Sequence, residues 1–233
     1  MTDLLEAFET AFRLLLSFDA GLLEIVGLSL RVSLTALGLA TVVGLPLGGA
    51  LAVFRFRGRG VAVVALNTMM GLPPVVVGLL VYLALSRSGP LGGWGLLFTP
   101  SAMVIAQFLL ITPIVASLAR QVIADLWVEY EEQLRSLGAT SSRALPTLLW
   151  DARQSLLTAV LAGFGRAIAE VGAVIIVGGN IAHVTRVMTT AIALETSKGD
   201  LPLALALGIV LLLLSMAINA IASVLTARGE QLA

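Results

Sequence analysis

Two ionisable side chains interrupt an otherwise apolar stretch of the chain at residues 155–177. They are Arg166 and Glu170, and a spacing of four residues places both on one face of a helix. Ionisable groups within an apolar helix are costly, so they usually face a cavity or a partner rather than lipid. The sequence therefore predicts either a self-neutralising pair that fixes helix packing or a pair at a pathway or gate.

Other residue types that perform chemistry are absent or isolated in this sequence. The chain has no cysteine, which excludes a disulfide framework, a thiolate metal site and thiol catalysis. His183 is the only histidine, so we expect no metal centre and expect this residue to lie in a loop. Neither the pattern G-x-x-x-x-G-K-[ST] nor a Ser/His/Asp constellation occurs. We therefore predict no catalytic residues and no ATP site on this chain.

The composition indicates which elements must position the Arg166–Glu170 pair. Hydrophobic residues make up 58% of the 233 residues, charged residues make up 12%, and the mean hydropathy is +1.03. A soluble domain typically carries about a quarter charged residues, so this chain belongs to the membrane class. Lys plus Arg and Asp plus Glu number 14 each, and this balance gives no indication of a nucleic-acid partner.

Five segments are long and apolar enough to cross a bilayer, for which a helix needs about 20 apolar residues. We predict these spans at residues 25–54, 61–86, 97–120, 154–178 and 201–226. The N-terminal segment 1–24 carries apolar residues at helical spacing. This spacing favours an amphipathic helix that lies in the membrane interface over a sixth, tilted span.

The basic residues indicate the orientation of the five spans. Eight of them fall on the side that holds the first and third loops, and five fall on the other side. Because cytoplasmic loops carry the excess of Arg and Lys, we expect the first side to be cytoplasmic. The N-terminus then lies outside and the C-terminus lies in the cytoplasm.

The third loop, at residues 121–153, contains the most charged part of the chain. Residues 126–137 are rich in helix formers, and Gly138 can end that helix by adopting a positive φ. Thr140 or Ser141 can then cap a second helix. The pattern predicts a helical hairpin that projects from the membrane.

The hairpin has two possible roles, a docking element for a partner protein and a linker between two spans. The second helix is expected over 143–153, and a docking element would place Leu134, Leu137 and Leu145 in a partner's groove. A solvated linker between two spans is the alternative. Because the loop is long, helical and internally terminated by Gly138, we favour the docking element.

The sequence EEQLRSLGA within this loop resembles the EAA loop of ABC importer permeases. In that family the loop forms a coupling helix that sits in a cleft of the ATPase subunit. The resemblance implies that the coupling residues are Glu131, Glu132, Gln133, Leu134, Arg135, Gly138 and Ala139. The family pattern ends in Ile-x-Leu-Pro, whereas residues 148–151 read LLWD and the nearby proline is Pro146.

Further segments extend the resemblance to about two thirds of the chain. GLPPVVVG at 71–78 is similar to the second span of molybdate and tungstate permeases. The segments 156–181 and 185–200 are similar to the tungstate branch in particular. The resemblance implies one all-α transmembrane permease domain over 1–233, with a five-span core at 25–228.

This resemblance implies import of tungstate across the cell membrane of a prokaryote by alternating access. The chain would lie in membrane lipid as a homodimer, with two ATP-binding ABC subunits in the cytoplasm and an extracytoplasmic tungstate-binding protein. It would bind no cofactor itself, since ATP and Mg²⁺ belong to the partner subunit. A molybdate or other oxyanion permease is the alternative in the same class. A secondary transporter or channel without an ATPase, or a structural membrane protein, would also explain the spans.

The predicted pathway residues lie in the second and fourth spans. Pro73 and Pro74 interrupt the backbone hydrogen bonds of the second span, which produces either a passage lined by freed backbone groups or a packing kink. A passing oxyanion would contact N–H groups and hydroxyls near this break and around Thr68, because a site must release what it binds. Together with Arg166 and Glu170, these residues form the predicted pathway and gate.

Overall fold

The computed structural model describes residues 8–10, 12–13, 16–17 and 19–230, and the side chains of 221–230 lie outside the description. Within these residues the chain is helical apart from its connecting loops, and it contains no strand. The predicted all-α fold is confirmed. Of the predicted amphipathic segment 1–24, residues 1–7, 11, 14, 15 and 18 lie outside the described residues.

Nine α-helices are assigned between Ala20 and Glu230, and a 3₁₀ turn lies at Gly92–Trp94. In chain order they are α1 (Ala20–Val53), α2 (Arg59–Met70), α3 (Pro74–Leu85), α4 (Pro100–Ser136), α5 (Ser141–Asp151), α6 (Arg153–Ile168), α7 (Gly172–Gly178), α8 (Met188–Lys198) and α9 (Leu201–Glu230). Three of these, α1, α4 and α9, are long and apolar enough to cross a membrane. Short breaks separate α2 from α3 and α6 from α7, and five spans result if each broken pair is one span. This upper number agrees with the predicted five-span core.

The helix α4 is longer than the third span that the sequence predicts. The predicted span ends at residue 120, whereas α4 has 37 residues and continues to Ser136. Its apolar stripe explains the continuation, because Ala119, Ile123 and Trp127 recur at every fourth residue and are all buried. The first helix of the predicted hairpin is therefore the end of a long helix and not a separate element.

The chain divides into two compact units, each built from separate segments. One unit comprises Met1–Thr35, Pro73–Gln107 and Ala167–Ile218. In this unit α3 packs closely against α7 at Gly78, where a Cβ atom would lie only 2.7 Å from the Cα atom of Ala173. Small residues at such contacts let two membrane helices approach each other, and a larger side chain would separate them.

The other unit comprises Ala36–Leu72, Phe108–Arg166 and Asn219–Ala233. Its hydrophobic core is formed by side chains of α1, α4, α5 and α6 together with Ala152. The buried members of this core are Ala52, Val53, Ala119, Ile123, Trp127, Ala144, Leu148, Ala152 and Leu156. The hairpin made by the end of α4 and by α5 therefore packs on the core of its own chain along one side.

Candidate functional site

The turn between α4 and α5 is closed by backbone hydrogen bonds around one glycine. Gly138 has a φ of 77°, the positive value that the sequence predicts. Its N–H donates to the carbonyl oxygen of Arg135, and the N–H of Ala139 donates to that of Leu134, both at 2.9 Å. Together these bonds form a Schellman motif, which satisfies carbonyl groups at the end of α4. The hairpin therefore has a turn of defined geometry.

The start of α5 is fixed by the backbone and not by a side chain. Thr140 occupies the predicted N-cap position, with φ −79° and ψ 156°. Its carbonyl oxygen accepts hydrogen bonds from the N–H groups of Arg143 and Ala144, both at 2.9 Å. Its hydroxyl makes no capping bond and lies 3.1 Å from the hydroxyl of Ser142. The position of the predicted cap is confirmed, while its side-chain bond is not formed.

The apolar side chains of the hairpin divide between the core and the surface. Leu134 and Leu145 are half-buried against the core of their own chain. The hypothesis that they share a partner's groove with Leu137 stays a prediction. Leu137 is 77% exposed and Trp150 is 73% exposed. These two side chains form the apolar surface that the hairpin presents to a partner.

Two glutamates of the predicted coupling set lie in different environments. The side chain of Glu131 is only 19% exposed and forms ion pairs with Arg135 and, at 3.5 Å, with Arg55. Since Arg55 belongs to the loop between α1 and α2, Glu131 connects that loop to the hairpin. Glu132 and Gln133 are exposed, and within the described part of the chain no cation pairs with Glu132. Glu132 is the carboxylate that remains accessible to a partner.

The second predicted span is broken at the position that its prolines predict. The helix α2 ends at Met70, Pro73 has an extended backbone with φ −62° and ψ 124°, and Pro74 is the first residue of α3. Proline fits this first position because its missing N–H would have no partner in the helix. The hydroxyl of Thr68 donates to the carbonyl oxygen of Val64 at 2.8 Å, and its side chain is exposed. The predicted break is thus confirmed, and Thr68 lies in the last turn before it.

The fourth predicted span is also broken, which the sequence analysis does not predict. The helix α6 ends at Ile168 and α7 begins at Gly172. The expectation that Arg166 and Glu170 share one face of a continuous helix is therefore wrong. The buried carboxylate of Glu170 accepts a hydrogen bond from the N–H of Ala173 at 2.9 Å. Such an N–H is available only at the start of a helix, so the carboxylate stabilises the break.

Two more side chains satisfy backbone groups at this second break. The amide of Gln107 donates through Nε2 to the carbonyl oxygen of Ala167 at 3.0 Å. The hydroxyl of Thr189 donates to the carbonyl oxygen of Glu170 at 2.8 Å. A small cavity of about 10 Å³ lies here and is lined by polar side chains of Ser29, Ser33, Gln107, Glu170 and Thr189. Since buried polar groups are costly when unpaired, this cluster holds the broken backbone in one arrangement.

The single histidine does not line this cavity. His183 is in the loop between α7 and α8, as the sequence predicts, and its side chain is 78% exposed. Its Nδ1 atom lies 2.8 Å from Oε2 of Glu24. This contact connects the loop to the first turns of α1.

Comparison with known proteins identifies the family. The family described as "Binding-protein-dependent transport system inner membrane component" matches residues 44–230. The chain belongs to this family. The matched residues include the hairpin and both broken spans of this permease. The resemblance to importer permeases is therefore confirmed, and the chain is a multi-pass membrane protein of a transport system.

Individual relatives of this permease are transporters of anions by their names. The chain is 43% identical, over 95% of its own length and 97% of the relative's, to the tungstate uptake system permease protein TupB of Peptoclostridium acidaminophilum. It is 42% identical, over 86% of its own length and 88% of the relative's, to a probable anion ABC transporter permease protein of Haloferax volcanii. It is 31% identical, over 75% of its own length and 66% of the relative's, to the sulfate transport system permease protein CysT of Escherichia coli.

Proposed function

We propose that this permease is the membrane subunit of an ATP-driven ABC importer that carries tungstate into the cytoplasm. The observation that carries the proposal is the hairpin, a turn of defined geometry at the end of a 37-residue helix, with Leu137, Trp150 and Glu132 exposed. The similarity to a tungstate uptake permease over nearly the whole of both chains supports tungstate as the substrate. ATP hydrolysis belongs to a separate subunit, which also binds the ATP and Mg²⁺.

The construction of the hairpin suits it to transmit movement. The helix α4 has no break over its 37 residues, which correspond to about 55 Å at 1.5 Å per residue. At its end the Glu131–Arg55 ion pair and the buried core beneath α5 hold the hairpin to its own unit. An ATPase that binds Leu137 and Glu132 would therefore displace α4 and not only a surface loop. Alternating access of the pathway would follow from this displacement, without covalent chemistry on the chain.

The broken spans are the proposed places where an oxyanion meets the protein. A break in a membrane helix leaves backbone groups available to a substrate, as in other transporters with discontinuous helices. At the first break these groups lie around Pro73 and Pro74, and the hydroxyl of Thr68, in the last turn of α2, is a further proposed contact. At the second break Glu170 acts as a positioning residue for the backbone, and Arg166 lies in the last turn of α6 before it. Neutral N–H and hydroxyl groups suit transport because they bind an anion and still release it.

The partners and the orientation are part of the same proposal. The permease would form a homodimer with two ATPase subunits on the side of the hairpins. A tungstate-binding protein would deliver the anion on the opposite side. The excess of basic residues on the hairpin side supports a cytoplasmic hairpin, an outside N-terminus and a cytoplasmic C-terminus.

A related oxyanion is the second candidate substrate. The similarity to a sulfate permease favours this alternative, because its name specifies an anion other than tungstate, and the name of the anion permease does not specify which anion it carries. Molybdate, a tetrahedral dianion of nearly the same shape, is included in it. Competition between tungstate, molybdate and sulfate for stimulation of the complex distinguishes the candidates.

Co-purification and ATP hydrolysis test the proposed function together. A tagged permease, expressed with its neighbouring genes, should co-purify an ATPase whose hydrolysis rises when binding protein and tungstate are added. If molybdate or sulfate stimulates ATP hydrolysis and tungstate does not, the proposed substrate is wrong and the proposed mechanism still holds. An isolated permease that transports without any ATPase would contradict the proposal.

A further inference from the structure

Arg31 is an exposed charged side chain on a predominantly apolar helix. It is the only basic residue of α1, a helix long and apolar enough to cross a membrane. Among the residues that the structure describes, no carboxylate pairs with Arg31. Charged residues in membrane helices face a water-filled cavity or a partner. The residues around Arg31 therefore indicate the role of its charge.

Those surroundings form a wide groove between α1 and the start of α4. The groove has a volume of about 490 Å³ and is lined by polar Arg31, Thr35 and Ser101 and by apolar Val104 and Ile105, among others. The hydroxyl of Thr35 already donates to the carbonyl oxygen of Arg31 at 2.6 Å. The guanidinium of Arg31 and the hydroxyl of Ser101 have no such bond within the described residues. They are the two donors that the groove offers to a ligand.

Distances along two helices place this groove at one boundary of the membrane. Arg31 and Val53, the last residue of α1, are 22 residues apart, which corresponds to about 33 Å. Ser101 and Arg120 in α4 are 19 residues apart, which corresponds to about 28 Å. Both lengths are close to the hydrocarbon thickness of about 30 Å. The groove therefore lies near a boundary of the membrane.

We propose that this groove is a receiving site for a tetrahedral oxyanion, bound by the guanidinium of Arg31 and the hydroxyl of Ser101. A guanidinium offers a planar fork of N–H donors that matches two oxygens of such an anion. The apolar wall of Val104 and Ile105 excludes water from one side and strengthens the contact. Because Arg31 is exposed and the groove is wide, the site binds weakly enough to pass the anion on. The identity of the anion as tungstate rests on the proposed function.

The same chemistry has two possible sources at a membrane boundary. One is the transported tungstate, and the other is the phosphate group of an anionic lipid. Both present tetrahedral oxygens to a guanidinium, so the groove alone does not separate them. Their separation requires two probes measured on the same protein variants.

Binding measurements on the purified permease provide this separation. The permease is placed in phosphatidylcholine nanodiscs, and tungstate binding is measured by equilibrium dialysis. Retention of phosphatidylglycerol from mixed nanodiscs is measured in parallel by mass spectrometry. The variants are Arg31→Met, Arg31→Lys and Ser101→Ala. The matched controls are Arg87→Met and Ser88→Ala in the exposed loop after α3, which lies outside the groove.

The expected result is a selective loss of one probe. Removing a charged donor from a hydrogen-bonded anion weakens binding about ten- to hundredfold, so Arg31→Met should lose binding by that factor. Arg31→Lys should lose less, because it keeps the charge and loses the planar fork. The controls at Arg87 and Ser88 should bind as the original protein does. If Arg31→Met lowers the yield of folded protein, Arg31→Lys and Ser101→Ala carry the test.

The two probes assign the occupant, and two results overturn the site. Loss of tungstate binding alone identifies the transported anion, and loss of phosphatidylglycerol alone identifies a lipid phosphate. Unchanged binding of both probes in the Arg31 variants overturns the site, as does an original protein that binds neither. If these results overturn the site but the complex of the original protein still imports tungstate, the proposed function stays intact. A complex that imports no tungstate while Arg31→Met still loses phosphatidylglycerol refutes the function and leaves the site.

Discussion

Replacing Gly138 by valine isolates the backbone of the hairpin turn. The φ of Gly138 is 77°, and a Cβ atom there would meet no other heavy atom within 4 Å, so the substitution acts through backbone strain alone. A left-handed conformation costs an L-residue about 1–2 kcal/mol, and a β-branched residue lies at the upper end. Opening the turn relieves this strain and breaks the two 2.9 Å bonds to Arg135 and Leu134.

The size of the effect follows from the balance of these two terms. Two backbone hydrogen bonds at about 1 kcal/mol each hold the turn closed, which leaves a few per cent of molecules open. Valine removes about 1–2 kcal/mol of that preference, so the open turn reaches up to about half of the molecules. The spans remain inserted, because neither term involves their packing. We expect normal amounts of Gly138→Val in the membrane and a loss of up to about half of the ATP hydrolysis stimulated by binding protein and tungstate, in proportion to the open turn.

A second glycine provides a matched control for this substitution. Gly199 follows α8 with a φ of 85°, has open space around its Cβ position and closes the same type of turn, with bonds to Thr196 at 3.2 Å and from Asp200 to Glu195 at 2.9 Å. Gly199→Val therefore carries equal strain outside the hairpin and should keep stimulated hydrolysis.

The asparagine substitution at the turn completes this test. Asn adopts the left-handed conformation with little penalty, so Gly138→Asn should recover most of the stimulated activity. Equal stimulation in Gly138→Val and in Gly199→Val would refute the reasoning, because the hairpin would then act as a linker. Equal loss in both valine variants would also refute it, because strain would then act through general stability.

Three further predictions concern the coupling surface, the second break and the topology. Glu132→Arg should abolish co-purification of the ATPase in a pull-down, because a repulsive contact at an interface costs several kcal/mol. Glu170→Ala removes the acceptor of a buried N–H in α7, which costs about 1–3 kcal/mol and should lower the thermal unfolding midpoint of the purified permease. Cysteines introduced at Gly58 and Ser141 should react with an impermeant thiol reagent only from the cytoplasm, and one at Ser197 only from outside.

Matched variants control these three predictions. Glu129→Arg changes another exposed carboxylate of α4, and its loss of the ATPase to the same degree would contradict a specific role of Glu132. Glu170→Gln keeps an oxygen acceptor and should destabilise less than alanine does, so equal destabilisation would argue against the hydrogen bond. The chain has no cysteine of its own, which makes the labelling specific. Labelling at positions 58 and 197 from the same side would contradict the five-span topology.

The features that sequence analysis predicts correctly depend on local backbone chemistry. Gly138 tolerates the positive φ that ends α4, and the preference of glycine for that region is readable without a fold. Pro73 and Pro74 lack the N–H that a continuous helix requires, so the break in the second span is readable as well. Apolar length alone predicts the helical fold and the membrane class.

The features that sequence analysis misses depend on contacts between distant residues. Residues 169–171, at the second break, contain no proline or glycine. The break is stabilised instead by Gln107 and Thr189, which lie on other helices, and by the carboxylate of Glu170. Gln107 is an amide side chain within the charge-free run 88–119. Because polar groups in an apolar span usually bond to another helix, this position could have predicted a bond from Gln107 to a neighbouring helix. The half-burial of Leu134 and Leu145 on the hairpin likewise depends on the core that they pack against. The spacing of leucines in the sequence does not show where that core lies.

Uptake of labelled tungstate into proteoliposomes tests the central claim most directly. The vesicles contain the permease and its ATPase, with ATP on the side of the hairpins and the binding protein on the opposite side. Our account predicts uptake that requires both ATP and the binding protein, and that excess unlabelled tungstate abolishes while excess sulfate does not. Tungstate uptake that continues without ATP, or its absence from an assembled complex that hydrolyses ATP, would contradict the account.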